Sequence, residues 1–546
     1  MRKRNKILAC ALAAAIFIAT GVGAKVLATS QTEDSTKQTD TETTKLTKTQ
    51  EESLKKIKAA YDVKNQEKTA EELEEKKSSQ EYTLSNMLIE YNPFGTNTQS
   101  LYVYFNTDEP VSVAYTVHAE DSKIQDFNRT VYQEEAYQKE HEFQVIGLIP
   151  DMENKVTFFL TKEDGSTDTK EIVFEMGPLM GTEDVQLDTD VEGNASQLED
   201  GLYVVLGNDS TALDFMYYYD NHGTLRGEVP LLGYRSHRLI FDQDSMYYSI
   251  SETKMAQLSR TGQVTNVFDL GDYEVHHDYV FDDNGNMLIL ASDKKQDSTE
   301  DVVIKLDVNS GEVTKVLDLG ALFGEYKAEC QRSEEGELDW MHINTIQYMG
   351  NGSVLLSSRE TSTIIKVDNL YDEPSIAYMI GEKDFWEDTS YVSYVLNKKG
   401  DFTIQGGQHT ITYETDESLA DGQYYLYMFN NNIGISETRP DYDWSSIGLK
   451  VSSAVDGKNS KYYKYLVDEN EGTFELVDSF KVPYSGYVSS VQEIGDNVLV
   501  DSGLKGTFME YDADHKTIAT YKMDYEKFIY RVFKYNFDGF YFGKSE

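Results

Sequence analysis

The chain has 546 residues, a formal net charge of −45 and 39 Tyr within its 12 % aromatic content. That charge excludes nucleic acid as a partner, because phosphate binding needs a basic face. It also requires any site for an anion to carry its own local positive charge.

"MRKRNK" opens the chain as a basic stretch, and "ILACALAAAIFIATGVGAKVLA" follows as an apolar one with small residues at Ala24 and Ala28. Residues 1–28 therefore read as a signal peptide, with an uncleaved N-terminal anchor as the alternative. The expected location is extracytoplasmic: secreted, periplasmic or at the cell surface. Cys10 lies too early in the apolar run for a lipoprotein cleavage site. Cys330 is then the one cysteine of a mature exported chain, and an intramolecular disulfide is excluded there.

Residues 29–81 are rich in Thr and Ser, then in Lys and Glu. They lack an apolar core and read as a polar, solvated linker with a helical stretch around Glu51–Lys76. From Tyr82 the pattern turns to strands. "QSLYVYFNTDEPVSVAYTV" alternates apolar and polar residues and breaks at "DEP", and three short strands follow, with "EDGS" the clearest turn. Residues 82–179 fit a small β-sandwich. His118 and His141 within it read as surface or strand-edge residues.

From about residue 180 to 546 the chain repeats a unit of strand, turn and "V/I-x-K-h-D"-like strand. "GNMLILASDKKQDSTEDVVIKLDVNSGEVTKVLDL" and "GSVLLSSRETSTIIKVDN" are two of six such units. A strand-only repeat of this length predicts a β-propeller, six-bladed on this count, with "YRVFKYNFDGFYFG" closing the ring. The fold class is thus all-β; a solenoid of stacked strands is the alternative architecture.

A propeller brings equivalent positions of different repeats to one central channel. His276 and His277 in "HHD", His342 in "DWMHIN" and His409 in "QHT" each stand before a strand and a glycine turn at Gly285, Gly352 or Gly422. They are read as one repeat position in three consecutive blades. Arg359, in "SSRE", ends the strand paired with that of His342, and Asn344 shares the His342 strand face. Imidazoles alone suit a metal. A guanidinium beside them opposes one and favours an oxyanion, for which its planar fork is matched. The set points to group transfer of a tetrahedral anion, with no metal and no cofactor. Trp340 and Phe402 are candidate aromatic walls, core packing being the stronger reading for each.

"HHD", "DWMHIN", "SSRE" and "QHT", in that order on propeller-like repeats after a sandwich-like domain, resemble the bacterial arylsulfate sulfotransferases from about Tyr82 onward. The resemblance implies six-bladed, exported enzymes that move a sulfuryl group from a phenolic sulfate ester to an acceptor phenol without a nucleotide sulfate donor. The absence of a Gly-rich phosphate loop with Lys-Ser/Thr agrees. It further implies His409 as the nucleophile, forming a sulfohistidine, with His342, Asn344, Arg359 and one of His276 and His277 around the sulfuryl oxygens. His276 is favoured, because its side chain would share a face with Asp278; register with His342 would favour His277. The disulfide of some family members is absent. Two other associations are weighed, a membrane tether through the N-terminal segment and a homodimer. A non-catalytic binding propeller and a metal-dependent ester hydrolase remain the rival functions.

Overall fold

The computed structural model describes residues 46–191, 195–207, 212–333, 336–450 and 453–544. The N-terminal basic and apolar segment lies outside them. Among the described residues no helix is long and apolar enough to cross a membrane.

Two helices come first, α1 (Lys48–Ala60) and α2 (Val63–Ser79). Thr47 opens α1 in a reciprocal capping box with Gln50, and Asp62 caps α2 by accepting from the Lys64 and Asn65 amides. For residues 46–81 the expectation of a solvated linker is corrected here, while residues 29–45 lie outside the described residues. Ile57, Tyr61 and Leu73 are buried. Leu54, Ile57 and Tyr61 make a narrow apolar stripe at helical spacing, too sparse to register in composition. Tyr61 Oη donates to Pro230 O at 2.7 Å, and Gln66 Nε2 donates to Phe94 O at 2.8 Å. Gln66 Oε1 accepts from the Val264 amide at 3.1 Å. The helices thus clasp the N-terminal β-domain to the sheets that follow.

That β-domain is built on one long strand, Ser100–Ala119. Its first half pairs with Leu88–Tyr91 and Gln138–Ile146, and its second half with Phe127–Thr130 and Met152–Lys162. The pairing with Gln138–Ile146 shifts register between Asn106 and Val111, at the "DEP" break, so one strand serves both halves. His118 is exposed and paired with Asp126; His141 is buried and stacked on Phe105.

Six sheets of four or five strands follow. The inner strands of the second to sixth are Ile240–Asp242, Tyr273–Phe281, Ile343–Gly350, His409–Glu414 and Ser490–Ile494. The first sheet takes its inner strand, Val532–Tyr535, from the C-terminus, and the sixth takes its outer strand, Asp188–Val191, from the N-terminal side. A belt of hydrogen bonds joins successive inner strands. Asp278 Oδ2 accepts from the Ile346 amide (3.2 Å), Asn344 Nδ2 donates to Gln408 O (2.8 Å) and Thr410 Oγ1 accepts from the Val491 amide (3.1 Å). Ser490 Oγ donates to Val532 O (2.9 Å), Tyr535 Oη accepts from the Leu239 amide (3.0 Å) and Tyr279 Oη donates to Arg238 O (2.5 Å). The belt returns to its start, which makes the array a closed propeller and excludes the open solenoid.

Candidate active site

His276 and His277 sit at the bulge within the third inner strand, His342 just before the fourth and His409 at the start of the fifth. His409 is fully buried as the first residue of its strand. Its Nδ1 lies 3.0 Å from Gly407 O and 2.8 Å from Asn431 Oδ1. Asn431 Nδ2 donates to Ser485 O and Val488 O, which fixes the amide with its oxygen toward the ring. A carbonyl can only accept, so Nδ1 carries the hydrogen and Nε2 carries the lone pair.

His342 Nδ1 donates to Asp339 Oδ2 in a short hydrogen bond, and Glu300 Oε2 lies 2.9 Å from the same nitrogen. The His277 ring centroid lies 4.8 Å from that of His342, and His276 Nδ1 lies 3.1 Å from His277 Nδ1. Burial alone would raise the Glu300 carboxyl; the imidazoles of His342, His277 and His276 overturn this and hold it below the ordinary range. Burial pushes Asp339 up to about 7, against the pull of His342. Burial lowers His276.

Arg359 joins this group through its backbone and its stem. Its amide donates to His342 O at 3.2 Å, and its Cγ would lie 3.9 Å from a Cβ built on Gly407. Its Nη2 contacts Glu360 Oε1 at 2.9 Å and lies 3.9 Å from Asp339 Oδ2. The motifs at His342, Arg359 and His409 therefore meet.

Three expectations need correction in detail. The left-handed kink that starts these strands falls on His277 (φ 53°) and His342 (φ 47°), but on Thr410 (φ 47°) rather than His409. His409 stands one residue before the kink, so the four histidines do not share one repeat position. Asn344 spends its amide on Gln408 O, next to His409, and serves the belt. Of the adjacent pair it is His277 that meets His342 edge to face, while His276 packs behind it and Asp278 turns to Arg238 and Ile346. Trp340 is core, donating from Nε1 to Asp301 Oδ2 at 2.7 Å, and Phe402 packs on Tyr465 and Phe474.

Sequence reasoning missed several neighbours. Glu300, Asp339 and Asn431 hold the imidazoles. His237, buried in the second sheet, lies 3.3 Å from Tyr530 Oη, and Tyr530 in turn faces His277. Arg531 is fully buried in the channel, donating from Nη1 to His277 O (2.6 Å) and from Nη2 to Asn344 O (2.7 Å). Of these only Asp339 carried a signal, lying inside a quoted motif three residues before His342.

Comparisons with known proteins bear on the family of the chain. The family model Arylsulfotransferase (ASST) matches residues 188–531, and the Arylsulfotransferase Ig-like domain matches residues 88–177. No curated protein matches the chain. Among solved structures, the WD40 domain of Toxoplasma gondii coronin aligns at 9 % identity and TM-score 0.31, over 62 % of this chain and 76 % of that one. BamB from Moraxella catarrhalis aligns at 11 % identity and TM-score 0.29, over 63 % and 92 %. Those structural likenesses are too distant to argue from. The family match spans more than half the sequence and includes every histidine motif, so the chain belongs to the arylsulfotransferase family.

Proposed function

We propose that this arylsulfotransferase moves a sulfuryl group from a phenolic sulfate ester to an acceptor phenol in two steps through a sulfohistidine at His409. The observation that carries the reading is the double anchoring of His409 Nδ1, which presents Nε2 as the nucleophile. In the first step Nε2 bonds to sulfur, the S–O bond to the aryl group breaks, and the phenolate leaves and takes a proton. In the second step an acceptor phenol oxygen bonds to sulfur, its proton leaves, and the N–S bond breaks. His342, His277 and Arg359 are assigned to the sulfuryl oxygens, where each well-placed donor contributes roughly 3–4 kcal/mol to the transition state. A phenol ionises near ~10, so phenolate is a fair leaving group at neutral pH. The basic and apolar N-terminal stretch supports work outside the cytoplasm.

The test is p-nitrophenyl sulfate with and without added phenol, followed by mass analysis after donor alone. Nitrophenol release that depends on the acceptor, with a sulfuryl adduct on His409, is expected. His409→Ala should abolish both while the circular dichroism spectrum is unchanged; turnover by this variant would refute the assignment. Release without acceptor would point to a hydrolase, and no release with any aryl sulfate to a binding protein.

A further inference from the structure

We propose that His276 Nδ1, His277 Nδ1 and the Glu300 carboxylate bind a divalent first-row transition-metal cation behind the His342 ring. The ion's site stands on its own geometry; only the role given to the ion rests on the sulfuryl-transfer reading.

The ligand atoms already face one another. The three groups offer ligand atoms within 4.8 Å of each other, all on buried residues. The two imidazole nitrogens are 3.1 Å apart, and His277 Nδ1 is 3.6 Å from Glu300 Oε2. Bonds of ~2.0–2.2 Å to one ion separate neighbouring ligand atoms by about 3.0–3.5 Å. A second triad of Glu300, Asp339 and His342 also falls within 4.8 Å. There the facing atoms of Asp339 and His342 stand closer together than two ligand atoms on one ion can.

The backbone is bent to make this meeting. Adjacent residues of a regular strand point to opposite faces. A register shift between Val275 and Tyr279 and the left-handed φ of 53° at His277 turn both rings to one side. Glu300 also has a left-handed φ, of 56°. Such conformations cost about 1–3 kcal/mol each in non-glycine residues and persist where surroundings enforce them.

Glu300 Oε2 and Asp339 Oδ2 both stand against His342 Nδ1, a nitrogen that carries at most one hydrogen. Glu300 and Asp339 are two acidic side chains on the one His342 imidazole, and Arg359 lies 3.9 Å from Asp339 Oδ2 and contacts Glu360. Two Nδ1 atoms 3.1 Å apart share at most one hydrogen, so His276 and His277 together supply no more than one positive charge. A divalent ion supplies two. It would offset the carboxylates beside a site for an anion and fix the His277 hydrogen on Nε2, the edge free of the metal. Two imidazoles and one carboxylate suit Zn²⁺ or Mn²⁺ over Mg²⁺.

The test strips the purified full chain with a chelator, dialyses it against Zn²⁺, Mn²⁺ or Mg²⁺, and measures retained metal by elemental analysis and affinity by calorimetry. One equivalent of Zn²⁺ or Mn²⁺ per chain is expected, with none of Mg²⁺. Glu300→Gln and, separately, His276→Asn should weaken binding by at least about 100-fold, while His118→Ala leaves it unchanged. Failure of the parent chain to retain either ion overturns the proposal, as does equal retention by the variants. If one variant misfolds, the other and the parent stoichiometry still decide. A metal-free chain that forms the His409 adduct overturns the role given to the ion and not its site; a metal-loaded chain that forms no adduct overturns the transfer reading alone.

Discussion

Asn431 shows how much at this site depends on a single acceptor. Its oxygen holds the His409 Nδ1 hydrogen at 2.8 Å while its own amide hydrogens are spent on Ser485 O and Val488 O. Asn431→Leu should leave the fold and the KM near those of the parent and lower kcat by about 10–100-fold, as loss of a partner to a working imidazole does. Asn431→Asp keeps an acceptor, and its charge favours imidazolium, so the lower limb of the pH–rate profile should move to higher pH. Stopped kinetics across pH check both. Asp501 makes the opposite case. Both its oxygens are buried without hydrogen bonds, and burial raises its carboxyl well above the ordinary value. In the unfolded chain the group ionises near 3.8, while in the folded chain it keeps its proton. The stability it contributes is complete below that pH and is lost as pH rises, at about 1.4 kcal/mol per unit until the folded group ionises. Asp501→Asn lacks this slope, so its gain in Tm over the parent should widen from pH 5 to pH 8; a constant gain would refute the burial argument. The reactive residues were legible in the sequence because His and Arg are scarce and sat in compact motifs. Glu300, Asn431 and Arg531 were not, since nothing local distinguishes them. Asn431 meets His409 across a hairpin of one sheet and Glu300 meets His342 from the neighbouring sheet, while Arg531 reaches His277 only through ring closure.

At the scale of elements, the strand pattern carried the fold, and bulges carried the errors. Alternation and glycine turns marked each sheet. The one-residue offset of His409 from the kink at Thr410 was invisible, because a register shift changes which residue faces the channel without changing the repeat. The helices were misjudged for another reason. Their burial rests on a few residues docking elsewhere, and Tyr61 is the clearest. Its hydroxyl contacts Pro230 O and Tyr248 Oη, some 170 residues away. Tyr61→Phe should cost about 1 kcal/mol, read as a fall in the denaturation midpoint with no change in aryl sulfate transfer. A larger fall with altered transfer would mean that the clasp also shapes the channel.

At the scale of the whole molecule, the ring is sealed by both ends of the repeat region, with Asp188–Val191 on the outside of the last sheet and Val532–Tyr535 on the inside of the first. Arg531 immediately precedes that final strand, and its guanidinium pins the carbonyls of His277 and Asn344. These contacts fix an order of events during synthesis. A nascent chain that has not yet reached Arg531 holds the four histidines of the site, yet lacks the guanidinium that ties the His277 and Asn344 carbonyls together and the inner strand of the first sheet. Competence therefore waits on residues 531–535, and termination between His409 and Arg531 leaves a polypeptide with its reactive imidazoles and an open ring.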